Sequence, residues 1–122
     1  MCVELHQNIT HSKSSLSGIS RFVNSFNPFT VAGCLARWSI VLDRVNLLEK
    51  RQIKLSDHEL RKESLSLRYR IRSGEPAWDI LPEAYSLVRE AARRTIDMRH
   101  FDVQILGGIA MFKRSIVEMQ TG

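Results

Sequence analysis

The sequence closes on Glu118-Met119-Gln120-Thr121-Gly122, where an apolar run that reads as a strand passes directly into Thr-Gly. A glycine just after a strand is where phosphate-binding loops begin, so Thr121 and Gly122 are the first candidates for chemistry on an anion. The other reactive side chains are less promising. His6, His11, His58 and His100 include no pair at the four-residue helical spacing of a metal site. Asp57, Glu59 and Glu63 cluster where a helix starts and read as charges complementing its positive end rather than as a catalytic dyad. Serine and cysteine nucleophiles lack a glycine-rich elbow and an assignable base. Cys2 and Cys34 are isolated thiols without C-x-x-C spacing, which argues against a disulfide framework or a zinc site. No self-contained active site emerges.

The chain that must position these residues has 122 of them, 43% hydrophobic and 25% charged, enough for one soluble domain with a modest core. Its longest apolar-leaning stretch, Phe29 to Leu42, is interrupted by Arg37, so no segment is expected to cross a bilayer. The N-terminus has no basic start followed by an apolar run, and the expected compartment is the cytosol. Net charge is +5, which suits nucleic acid, an anionic membrane surface or acidic segments of a partner protein. Arg61, Arg68, Arg70, Arg72, Arg89, Arg93 and Arg94 are spread through helical stretches without a recognised nucleic-acid motif and read as solvated helix faces.

Residues 1–28 form a Ser/Asn-rich stretch stopped by Pro28 and are expected to be a flexible tail. Leu35, Trp38, Leu42, Val45 and Leu48 then recur at three- and four-residue steps and predict a first helix over about 30–50. Ser56 with Glu59 is a capping box opening a second helix, striped by Leu60, Ser64, Leu67 and Ile71 and stopped by Ser73-Gly74. A third helix is expected to place Pro82 in its first turn and to carry a face of Ala84, Leu87, Val88, Ala91, Ala92 and Thr95. Beyond Asp97, "FDVQILGG", "IAMF" and "SIVEM" read as two or three short strands. The fold class is α+β, predominantly α-helical: about three helices followed by a C-terminal β-hairpin or small incomplete sheet. The open edges of such a sheet favour pairing with another chain, including a second copy.

From Lys54 to Gly122 the residues resemble the N-terminal part of the SecA preprotein translocase ATPases, through "LSDHEL", "LPEAYSLVREAARR", "MRHFDVQILGG" and "IVEMQTG". Weaker similarity reaches back through "RVNLLE" to about Leu35. The resemblance implies that 29–122 is the N-terminal segment of a SecA-like nucleotide-binding, DEAD-like domain. It matches Gln104 to the family's Q motif, where an amide both donates to and accepts from the adenine edge, a pairing for which glutamine has the required groups. Met98, Arg99 and Phe101 match positions flanking the base, Met98 and Phe101 as apolar walls. Met119 to Gly122 match the start of a Walker A loop that continues in the family as Glu-Gly-Lys-Thr. Phe112-Lys113-Arg114 falls where the family usually has a polar hairpin turn.

The same resemblance implies ATP as cofactor, with Mg²⁺ in a complete relative. It further implies the SecYEG channel, preproteins and an anionic membrane surface as partners, and a location in the cytoplasm or at the periphery of the inner membrane. The expectation for these 122 residues is a segment truncated at the start of Walker A, without ATP hydrolysis and with weak or no nucleotide binding of its own. Two other classes compete with it: a small helical protein-interaction module, and a basic binder of nucleic acid or anionic lipid.

Overall fold

The computed structural model describes the backbone of residues 2–5 and residues 31–119 in full. In chain order these are β1 (Cys2–Leu5), α1 (Val31–Gln52), α2 (Asp57–Arg72), α3 (Ala77–Ile96), α4 (Asp102–Phe112) and β2 (Ile116–Met119). The chain divides into two compact units, one running from Val41 to Phe101 and the other made of the residues through Ile40 together with those from Asp102 onward. No helix among the described residues is long and apolar enough to cross a membrane.

α1 has the stripe its sequence predicts: Trp38, Leu42 and Val45 are buried, while Leu35 and Leu48 are half-buried. The stripe continues with Glu49 and Gln52, both buried, so the core face of this helix ends in polar groups that need partners. The capping box is formed at the start of α2. The Ser56 Oγ accepts from the Glu59 amide, and the Glu59 carboxylate accepts from the Ser56 amide at 2.7 Å. At its other end Gly74, at φ 95°, takes the left-handed position that a glycine occupies without steric cost. The Gly74 amide donates to the Ile71 carbonyl and the Glu75 amide to the Arg70 carbonyl, the paired bonds of a Schellman stop.

α3 begins at Ala77 after Pro76, more than a turn earlier than the sequence suggests, and Pro82 lies inside the helix. Pro76 fixes φ just before the helix, and Pro82, its sixth residue, lacks the N–H that would donate four residues back. α3 packs on α2 through a cluster of Leu67, Ile80 and Leu87, flanked by Leu60 and Ala84. Val88 and Thr95, expected on the packed face, are exposed, whereas Ser86, Arg89 and Glu90 are fully buried.

The region read as strands is corrected by the structure: residues 102–112 are the helix α4. Its buried residues, Ile105, Leu106, Gly107, Ile109 and Ala110, are nearly continuous, so neither a two-residue nor a 3.6-residue period stands out in the sequence. The predominantly helical α+β class holds. Of the two or three C-terminal strands expected, one is present among the described residues: β2 pairs in parallel with β1 from the N-terminal stretch, Cys2 opposite Ile116 through Leu5 opposite Met119. A tight hairpin cannot join parallel strands. Lys113-Arg114 is accordingly a helix stop rather than a hairpin turn, with Arg114 at φ 60°, its amide donating to the Met111 carbonyl and that of Ser115 to Ala110. Apart from Cys2–Leu5, the stretch read as a flexible tail lies outside the described residues.

α4 packs on β2 at Gly107, where an added Cβ would lie 3.3 Å from the Met119 Sδ and 3.5 Å from a Val117 methyl. The glycine lets this helix approach the strand more closely than a larger residue allows.

Candidate functional site

Three of the residues matched to the base-flanking positions fall in the short connection after α3. Asp97 ends that helix in the left-handed conformation, at φ 54°, and turns the chain so that Met98, Arg99, His100 and Phe101 follow outside any regular element. Met98 is 66% exposed and Phe101 70% exposed. Large apolar side chains this accessible lie where a partner or ligand can cover them.

Arg99 is tied down. Its Nε donates to Oε1 of Glu49 at 2.6 Å and its Nη2 to Oε2 at 2.7 Å, the two-pronged geometry that fits a guanidinium to a carboxylate. The same carboxylate accepts from Nη1 of Arg89 at 3.1 Å, and that nitrogen also donates to Oδ1 of Asn46 at 2.7 Å. The Arg89 side chain is fully buried and that of Glu49 is 9% exposed. Charges this deep are held only when paired, and here one carboxylate is shared between two guanidiniums from α3 and the following connection. The hydrogen bond from Arg99 is the main reason the Glu49 carboxyl stays charged well below its ordinary range, outweighing the opposing effect of burial.

A second buried carboxylate continues the network. Glu90, fully buried, accepts from Nε and Nη2 of Arg93 and from Nε of Arg94 at 2.6–2.9 Å. Arg93 first and Arg94 next hold its carboxyl below the usual range. Arg94 then reaches four further acceptors: Nη1 donates to Asp57 at 2.7 Å, and Nη2 to the carbonyls of Leu55 at 2.7 Å, Gln52 at 3.2 Å and Ile53 at 3.4 Å. One side chain of α3 therefore binds the end of α1, the turn after it and the start of α2. Asp57 and Glu59 act as helix-start groups, as their spacing suggests, and Glu63 pairs with Arg51 at 2.7 Å.

Gln104 lies in the first turn of α4 with an exposed side chain, although its sequence reads as strand. Thr121 and Gly122 lie outside the described residues. His58 is exposed and His100 half-buried, His6 and His11 are not described, and no group of three His, Cys, Asp or Glu among the described residues could hold a metal ion. The sequence reading singled out Arg99 but missed what holds it. The available signal was Glu49 itself: a carboxylate four residues after Val45 continues an apolar stripe and demands a cation.

A family model described as "SecA DEAD-like domain" matches residues 28–122. The chain is 56% identical over 88 residues to "Protein translocase subunit SecA 2" of Rhodopirellula baltica, covering 72% of this chain and 13% of that protein. It is 41% identical over 104 residues to "Protein translocase subunit SecA" of Buchnera aphidicola subsp. Cinara cedri, covering 85% and 12%. With the protein of the same name from Desulforudis audaxviator the identity is 51% over 82 residues, covering 67% and 9%. The chain thus spans about a tenth of the length of these curated relatives. A family match over most of the chain, together with identities of this level, establishes that the protein belongs to the SecA DEAD-like domain family.

Proposed function

We propose that this segment serves a SecA-type protein translocase by supplying the adenine-recognising edge of its ATP site. The observation that carries the reading is the family match running through Met98–Gly122, the stretch that holds "MRHFDVQ" and "EMQTG". In this reading the Gln104 amide donates to and accepts from the adenine edge, while Met98 and Phe101 offer apolar surface to the ring. The residues suit that group: the amide is exposed near the start of a helix, and both apolar side chains are accessible. Arg99 suits a positioning part better than contact with phosphate, because two of its nitrogens are committed to Glu49. Thr121 and Gly122 are proposed to open the phosphate loop, and Mg²⁺ would be held by residues beyond these in a complete relative. ATP supplies the driving force in such a relative, whose proposed partners are the SecYEG channel, preproteins and the anionic face of the inner membrane, reached from the cytoplasm.

The 122-residue polypeptide is expected to bind nucleotide weakly, since phosphate contacts supply much of the affinity of nucleotide sites. An NMR titration with adenosine should shift resonances of Met98, Phe101 and Gln104, and Gln104→Ala should remove the preference for adenosine over guanosine. ATP hydrolysis by the same polypeptide should stay at background. Retained preference in Gln104→Ala, or turnover that the substitution abolishes, would overturn the reading.

A further inference from the structure

α2 carries three carboxylates, and every one of them is engaged. Asp57 pairs with Arg94, Glu59 closes the capping box and Glu63 pairs with Arg51. Of its four arginines only Arg70 has acidic partners, Glu75 and Glu83, each at 2.6–2.7 Å. Arg61, Arg68 and Arg72 have no carboxylate partner among the described residues and are exposed. With Leu65, which is 55% exposed, they recur at steps of four, three and four residues and form one stripe about 16 Å long.

At the N-terminal end of that stripe lies an open groove of about 500 Å³ between α2 and α3, lined by Arg61 and by Asp57 and Arg94, which pair with each other. Its floor is apolar, made by Leu60, Leu87, Val88 and Ala91, with Arg61 on the rim and Val88 53% exposed. We infer that this groove, with Arg61 lining it and Arg68 and Arg72 further along the same face of α2, is a docking surface for an acidic amphipathic helix of a partner protein. Charge complementarity selects the occupant. A helix with apolar residues on one face and glutamates along the adjoining one fills the concave floor and meets Arg61, Arg68 and Arg72 at matching helical spacing. A flat anionic membrane meets the charges but does not fill a groove between two helices. Nucleic acid meets the charges too, but the groove lining has no aromatic side chain on which a base could stack. The inference does not depend on adenine recognition, because none of its residues is in the segment assigned to the base.

The test uses the 122-residue chain and a synthetic helix-forming peptide of about 18 residues, leucines on one face and glutamates beside them. A scrambled peptide of identical composition, phosphatidylglycerol vesicles and a single-stranded oligonucleotide serve as comparisons. The amphipathic peptide should bind saturably, shifting the NMR signals of Leu60, Ser64, Val88, Ala91 and Thr95 and weakening as salt is raised. Charge reversal at Arg61, Arg68 and Arg72 should weaken it about tenfold, as three surface ion pairs imply. Val88→Asp should weaken it independently, with circular dichroism confirming that each variant is folded. No saturation by about 1 mM, equal binding of the scrambled peptide, or a preference for vesicles or oligonucleotide would overturn the inference.

Discussion

Replacing Glu49 by glutamine keeps the shape of the side chain but removes the charge that two arginines share. Arg89 is fully buried and would lose its charged partner in Glu49, while Arg99, 44% exposed, can turn to water. Removing one member of a buried pair commonly costs 3–5 kcal/mol, and the rehydration open to Arg99 places this variant near the lower end, about 3 kcal/mol. For a chain of this size that lowers the melting temperature by about 10 °C. The assay is thermal and urea unfolding of the 122-residue polypeptide followed by circular dichroism. The mechanism makes a second demand: with Arg89→Met added, the guanidinium that lost its carboxylate is removed as well, and the double variant should recover about half of the loss. A Glu49→Gln variant within about 1 kcal/mol of the parent, or a double variant less stable than the single, would show that the cost does not lie in separating the Arg89 charge from its carboxylate.

Acid should expose the same network. The Glu49 and Glu90 carboxyls are held below their ordinary 4.5 by Arg99 and Arg93 respectively, so their contribution is complete above pH 4.5 and fades as pH falls through the lowered values; Glu49→Gln should flatten that part of the stability profile. Ser56→Ala removes the acceptor for the Glu59 amide and should cost about 1 kcal/mol, with faster hydrogen exchange confined to the first turn of α2. Arg114→Gly relieves a left-handed residue at the end of α4 and should stabilise the chain by about 1 kcal/mol in the same unfolding assay. Gly107→Val should destabilise by about 2 kcal/mol, since its side chain would enter the space held by Met119 and Val117.

The helices from 31 to 96 were legible because local rules set them. A capping box at Ser56, a glycine stop at Gly74 and a three-and-four stripe through Trp38, Leu42 and Val45 need no knowledge of the rest of the chain. What the stripe rule could not show was its polar continuation. Glu49 and Arg89 are buried because they answer each other across 40 residues, and Glu90 because Arg93 and Arg94 answer it from the next turn of its helix; composition alone places such residues outside. α4 was misread for a different reason: its apolar residues surround most of the helix, and burial on several sides erases the period that distinguishes helix from strand. The base-flanking residues illustrate the limit of chemistry by residue type. Nothing in the spacing of Met98, Arg99, Phe101 and Gln104 names a ligand; their part in adenine recognition is a proposal that rests on family membership, and the structure adds Glu49 as the anchor of Arg99.

The parallel pairing of β1 with β2 joins residues 114 positions apart along the chain. During synthesis at about 5–20 residues per second, β1 leaves the ribosome on the order of 10 s before β2 exists. Helix pairs such as α2 and α3, linked by a few residues, can close within that interval, whereas the first strand must wait with its backbone edge uncommitted. That interval is when a chaperone or a neighbouring nascent chain has its best opportunity to capture Cys2–Leu5.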